Sequence, residues 1–381
     1  MYSNSNCCSR RGDLRGRIDE QQVIDDQPGA IDDAMAKKLK SKKLTRAKAR
    51  AATRKATDAA TAAFKSGDAS LKFLIQALNY VRAPTAFIQL LLTVALVFGI
   101  PVEDLDLVEY FAGMKAVTRA AARAGRAAVG YEIKDNELMD WMSDEGWSFA
   151  LWLALKLKKC AQSMLAPVCS SWTWMNRHTS GRSIERPLGR PHLKYIKDAN
   201  TMVSRVALMC LLLTVKGIFW VLEQPKGSLL EYHPRIQMLA RHFNLFRVSF
   251  PMGNFGGETQ KDTWCYSFHS CVMKLPQYAT TKFVKANSGI QVVVVKTDKS
   301  GKTSVSGGKD LKGTQHYPDG FGEAITNLYL DCKKEIEADY AAFRSEVENN
   351  GKLRNLWEAA AGRDQLWHDA RLLRVLRHLQ K

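Results

Sequence analysis

From about residue 105 onward, short apolar runs with strand character alternate with helix-length stretches, and that alternation restricts the chain to very few architectures. Segments 105–110, 127–133, 163–168, 218–222 and 246–250 are short and rich in apolar residues, and read as short buried strands. Between them, 116–124, 138–158 and 199–215 carry helical periodicity. The expected fold class is α/β, with a Rossmann-like, doubly wound, mostly parallel sheet over 105–330. Inside it, within 268–310, segments 291–295 and 303–306 flank Asp298-Lys299-Ser300-Gly301, which predicts a short inserted hairpin.

The flanks differ in character. Residues 1–35 are polar and without periodicity, and are expected to be disordered. Residues 36–65 form a basic arm in which every charge from Lys37 to Lys55 is positive; it fits a phosphate-tracking arm, an import signal or a solvated tail. A formal net charge of +18 makes nucleic acid, DNA or RNA, the first partner to expect and an anionic membrane the second. Residues 66–104 are an apolar helical lead-in, with no charge over 84–102; the run suits a helix packed on the following domain, or a membrane anchor. Residues 331–381 read as C-terminal helices broken at Asn349-Asn350-Gly351, the second presenting Arg371, Arg374, Arg377 and Lys381. The eight cysteines include no Cys-x-x-Cys pair, and neither His233 nor His242 has zinc spacing to any of them. Reduced thiols, no metal and an intracellular location, nucleus or cytoplasm, are therefore expected, with no apolar leader at the start.

Chemistry concentrates at the carboxyl ends of the expected strands. Asp106-Leu107-Val108-Glu109-Tyr110-Phe111-Ala112-Gly113 is a buried strand running into a glycine turn and then a helix, and Glu132 follows at the offset where an acid grips ribose hydroxyls. The other reading is an ordinary strand-turn-helix with a solvated Glu132. Pro167-Val168-Cys169 places a cysteine at the end of a strand counted as the fourth, and Glu223-Gln224-Pro225 places a carboxylate at the end of the next. Cys169 is a nucleophile or a small buried apolar residue; Glu223 is an active carboxylate or an ion-pair partner of Lys226 or Arg247. Ser170, Ser171, Trp172 and Arg177 flank the cysteine as candidate substrate contacts, with Trp172 and Trp174 able either to stack on a base or to pack in the core. Arg177, Arg182 and Lys226 are candidates to lower the thiol pKa, and the basic loop 180–191 reads as a mobile cover.

In this order the segments resemble the cytosine carbon-5 methyltransferases over about 225 residues. Phe111-Ala112-Gly113 is similar to that family's cofactor turn, Pro167-Val168-Cys169 to its nucleophile loop and Glu223-Gln224-Pro225 to its glutamate motif. Gln260-Lys261 falls where the family carries a glutamine-arginine element, and the run from Gln315-His316-Tyr317-Pro318 to Ala324 resembles its closing segment. The resemblance implies a class I methyltransferase fold, S-adenosyl-L-methionine bound by Phe111, Ala112, Gly113, Glu132 and Pro167, and catalysis by Cys169 and Glu223. It further implies substrate contacts from Ser170, Ser171, Trp172, Arg177, Gln260 and Lys261, on a base extruded from nucleic acid. Met114-Lys115 stand where the family continues to a second glycine, and the space between Phe268 and Gly308 is short for a large target-recognition module. A methyltransferase for another substrate, or a catalytically idle binding module, is compatible with the same pattern.

Overall fold

The computed structural model describes residues 69–99, 101–281, 292–298, 300–301, 303–308 and 310–350. The expected disordered lead-in at 1–35, the basic arm at 36–65 and the second C-terminal stretch with Arg371 to Lys381 lie outside the described residues.

Helices α1 (Ala69–Tyr80) and α2 (Thr85–Val97) lead into β1 (Leu105–Tyr110), α3 (Ala116–Arg123), β2 (Ala128–Tyr131), α4 (Asp144–Lys156) and β3 (Leu157–Leu165). There follow α5 (Arg177–Ser180), α6 (Lys194–Val215), β4 (Phe219–Pro225), α7 (Pro234–His242), β5 (Phe246–Pro251), β6 (Asp262–Ser267), the hairpin β7 (Val293–Thr297) and β8 (Thr303–Gly307), and the long α8 (Asp319–Asn350). The strands form a six-stranded sheet in the order β2-β1-β3-β4-β6-β5. The fold is α/β with a mixed, mostly parallel sheet: β6 alone runs against its neighbours, antiparallel to both β4 and β5.

Successive side chains of β1 show how helices cover both faces. Glu109 accepts hydrogen bonds from the backbone N–H and hydroxyl of Thr118 on α3, at 2.7 and 2.6 Å. The next residue, Tyr110, donates to the Ala150 carbonyl of α4 at 2.9 Å. Because neighbouring residues of a strand point to opposite faces, α3 and α4 sit on opposite sides of the sheet. α8 joins α3, with Arg119–Asp319 and Arg123–Glu323 ion pairs along the contact, and also accepts the Gln162 amide of β3 at its Ile325 carbonyl, 2.9 Å away. On the other side α6 is tied to the start of α4 through buried Arg205, which donates to the carbonyls of Trp141 and Ser143 at 2.8 and 2.7 Å and pairs with Asp144 at 2.9 Å.

Several expectations shift. The strand expected at 163–168 is β3, the third along the chain, and it begins at Leu157 because the helix expected over 138–158 occupies only Asp144–Lys156. Ser143 caps that helix, accepting from the Gly146 N–H at 2.8 Å, and the preceding residues are turns. β6 is a strand that the apolar runs do not mark, since Asp262 and Thr263 dilute its apolar character. The hairpin is present two residues later in its first strand, with Val295 opposite Val305. The apolar run at 84–102 contains a helix of 13 residues, about 20 Å long against a hydrocarbon thickness of about 30 Å, and seven of those residues are buried. By length and composition α6 is the one described helix able to span a membrane; 67% of its apolar window is buried in the fold.

The α3–α8 contact is close enough to be tested. A Cβ added to Gly322 would lie 2.2 Å from the Ala116 carbonyl oxygen. Alanine normally favours a helix over glycine by about 1 kcal/mol, but here the clash decides the sign. Gly322→Ala is expected to destabilise by about 1–3 kcal/mol and lower the midpoint of thermal unfolding; an unchanged or raised midpoint contradicts this packing.

Candidate active site

At the end of β1 the chain takes three left-handed residues in five: Phe111 at φ 58°, Gly113 at 51° and Lys115 at 57°. For a bulky residue such as Phe111 this conformation is costly and persists only where the surroundings impose it. The Phe111 ring packs against Trp141 with centroids 4.7 Å apart, while buried Ala112 is tied to β2 by its N–H, which donates to the Tyr131 carbonyl at 3.2 Å. Glu132, just past β2 and buried, accepts the Gly113 N–H on Oε2 at 2.9 Å and the Lys134 N–H on Oε1 at 3.3 Å. The turn and the acid thus meet as the sequence offset implied, and the space that a Cβ on Gly113 would occupy is open.

One strand over, β3 ends at Leu165 and the chain passes through buried Pro167 to Cys169. β4 fixes this loop: the Gln224 amide donates to the Pro167 carbonyl at 2.8 Å, and its own oxygen accepts from the Ser228 hydroxyl at 2.9 Å. The neighbouring β4 residue is Glu223, 5% exposed, so its carboxyl group needs donors from the protein. The Tyr317 hydroxyl donates to Oε2 at 2.7 Å, and Lys261 Nζ stands 3.2 Å from Oε1, outside hydrogen-bonding geometry. The same ammonium lies 5.1 Å from the centre of the Tyr317 ring.

Cys169 shares this electrostatic environment. Burial raises its thiol pKa, the nearby Glu223 raises it further, and Lys261 opposes the shift. The basic groups expected to lower it lie elsewhere. Lys226 is 3.7 Å from Asp262 and Arg177 sits over exposed Trp174 at 5.0 Å, while Arg247, the other expected ion-pair partner of Glu223, pairs with Glu231 at 2.8 Å. Arg182 lies 3.4 Å over the Trp172 ring, and burial brings its guanidinium pKa down to about 10.

Of the expected substrate contacts, Ser170, Arg177 and Gln260 are exposed, Gln260 donating to Asp262 at 3.2 Å. Trp172 and Ser171 are corrected. Trp172 is fully buried between Arg182 and the edge of His233, 5.8 Å away, so its faces are not open to a base. Ser171 is buried and accepts from Arg182 at 3.2 Å. The 180–191 loop is pinned rather than left loose: Arg182 donates to Asn200 at 2.8 Å, Asn200 donates to the Leu188 carbonyl at 3.0 Å, and Arg190 N–H donates to the Ser180 carbonyl at 2.9 Å.

Two groups were not singled out from sequence. Tyr317 lay inside the closing segment, but nothing in its spacing revealed that its hydroxyl reaches Glu223. Glu109 is 1% exposed at the approach to the Phe111 turn, and burial raises its pKa against the Thr118 hydrogen bonds; an apolar-run reading passes over such a residue. A narrow apolar crevice is lined by Cys210, Trp220, Leu230, Leu239 and Tyr266, none of which belongs to this rim. No family model, curated protein or solved structure matches the chain.

The thiol environment predicts a reactivity order. Glu223→Gln removes the charge that raises the Cys169 pKa, so alkylation of Cys169 by iodoacetamide at neutral pH, followed by peptide mass mapping, is expected to accelerate. Lys261→Met removes the opposing charge and is expected to slow it. Equal rates in the three proteins contradict the cluster.

Proposed function

We propose that this chain is an S-adenosylmethionine-dependent methyltransferase of class I, acting on carbon 5 of cytosine in nucleic acid through a covalent bond to Cys169. The observation that carries this reading is the meeting of Cys169 and Glu223 at the carboxyl ends of adjacent parallel strands, with Lys261 and Tyr317 closing on the carboxyl group. Ligands of open α/β sheets bind along that edge. The mixed, mostly parallel six-stranded sheet with helices on both faces is compatible with the Rossmann-like, class I assignment.

The turn fits the cofactor. Glu132 offers a buried acid at the β2 end, Gly113 leaves open space above the backbone, and Phe111 and Ala112 frame it. S-adenosylmethionine supplies an electrophilic methyl group when bound. Cytosine carbon 5 is too poor a nucleophile to accept it until the ring is broken. The Cys169 thiolate adds to carbon 6, forming the S–C bond, while the displaced electron pair moves through the ring to nitrogen 3. A proton passed from Glu223, which lies against the Tyr317 hydroxyl and beside Lys261, is taken up by nitrogen 3, and carbon 5 becomes an enamine carbon. After carbon 5 has gained its methyl group, nitrogen 3 returns its proton to Glu223, and loss of the carbon 5 proton to a base expels the sulfur, which leaves as thiolate. The raised thiol pKa means that the free enzyme holds little thiolate at neutral pH, and that kcat/KM climbs as pH rises through the thiol pKa, above the usual value of about 8.5.

DNA or RNA is the proposed partner, drawn by the net positive charge of +18, with sequence-independent phosphate contacts supplying the affinity. Oligonucleotides carrying 5-fluorocytosine test the covalent step, because fluorine replaces the proton that elimination must remove. A denaturation-resistant adduct is expected in the presence of S-adenosylmethionine. Cys169→Ser should abolish it, whereas Cys160→Ser and Cys210→Ser should retain it. A protein that methylates nucleic acid yet forms no adduct refutes the covalent mechanism and points to a different methyl-transfer chemistry.

A further inference from the structure

Away from this rim, the 3-10 turn Ser270–Tyr278 packs against the middle of α8, and the contact gathers metal-binding side chains. Cys332 and Glu335 stand three residues apart on α8 and therefore share a helix face. They meet Cys271, and the ligand atoms of the three lie within 4.8 Å of one another. Both cysteines are fully enclosed, while the Glu335 side chain is 51% exposed. The Cys271 thiol donates to Glu335 Oε2 at 3.2 Å, and Lys274 Nζ lies 2.6 Å from Oε1. His269, two residues before Cys271, accepts the Cys271 N–H on Nδ1 at 3.2 Å and brings Nε2 to within 3.0 Å of Asp339 on the same helix.

We propose that Cys271, Cys332 and Glu335 form a binding site for a divalent transition metal of the zinc type. Two thiolates and a carboxylate suit a borderline-soft ion of tetrahedral preference, and do not suit magnesium or calcium, which take oxygen ligands. The thiol hydrogen of Cys271 and the Lys274 ammonium, now held against the carboxylate, occupy the place of the cation. Binding releases two thiol protons to solvent and displaces Lys274 from Glu335, and water completes the coordination on the exposed Glu335 side. The His269–Asp339 pair lies alongside as a support that orients the Cys271 backbone. Such an ion clamps α8, which follows directly on the segment holding Tyr317 against Glu223, onto the turn after β6. The inference does not depend on the methyltransferase reading, because no residue of that rim takes part. Sequence spacing did not expose it: Cys271 and Cys332 are distant along the chain, and folding alone brings them together.

The test uses the full chain, reduced and stripped with chelator, then titrated with Zn²⁺ and separately with Co²⁺. One equivalent of metal per chain is expected, with thiolate-to-cobalt charge-transfer absorption in the near ultraviolet and a thermal midpoint that rises with metal concentration. Cys271→Ser and Cys332→Ser should each remove the charge-transfer band, and Cys210→Ser should keep it. Should a buried-cysteine variant fail to fold, two variants at the half-exposed rim decide. Glu335→Gln should weaken Zn²⁺ by tenfold or more, and Lys274→Ala, which removes a competing cation, should tighten it. Absence of the band in the folded wild-type protein overturns the proposal. So does Zn²⁺ affinity indifferent to both Glu335→Gln and Lys274→Ala, or a Cys271–Cys332 disulfide that persists under reducing conditions.

Discussion

A carboxyl group at the end of a buried parallel strand has no water to bond, and Glu223 obtains its partners from two places far along the chain. Lys261 precedes β6, the strand that runs against the rest of the sheet, and Tyr317 sits just ahead of α8. The antiparallel strand and the long final helix therefore do more than cover apolar surface; they deliver a cation and a hydroxyl to one point on the carboxyl edge. Removing one partner of a buried, paired charge generally costs about 3–5 kcal/mol, so the cluster constrains three separate segments at once. Lys261 reaches its position from a backbone with φ of 27°, a conformation that L-residues rarely adopt and that the surrounding turn has to impose.

The same constraint shapes the reactivity of Cys169. Its thiol shares the interior with Glu223, which disfavours the thiolate, and with Lys261, which favours it. In the proposed reaction, a substrate ring engaging Glu223 would change this balance at the moment when the thiolate is required, and the free thiol is expected to react slowly with small electrophiles. Glu109 adds a second buried carboxyl group near the end of β1, held by Thr118 of α3, while Glu132 holds the Gly113 N–H of the turn from the β2 side.

Much of the architecture was legible because short segments rich in apolar residues alternate with helix-length stretches. β1, β2, β4 and β5 fall where those runs occur, as do α3 and α6. β6 was illegible for the opposite reason: an antiparallel strand entering through Asp262 and Thr263 carries no such run. The Glu132–Gly113 contact followed from an offset between two strand ends, a local quantity that sequence preserves. The partners of Glu223 did not follow. Lys226 and Arg247 were the near and obvious cations, yet each is claimed by another acid, Asp262 and Glu231, while Lys261 comes from a turn whose approach depends on tertiary packing. Trp172 failed as a stacking platform because an aromatic beside a reactive residue has no sequence mark for which way it points, and here it points into the core.

The claim on which the functional account rests is that the Phe111–Gly113 turn and Glu132 form a cofactor site. Titration calorimetry of the full chain with S-adenosylmethionine measures this without any assumption about the acceptor. Saturable binding of one equivalent is predicted, weakened by about 1–3 kcal/mol in Glu132→Ala, since a hydrogen bond to a charged group is lost. A folded wild-type protein that gives no binding heat at any temperature tried, and whose thermal midpoint S-adenosylmethionine leaves unmoved, would contradict the account.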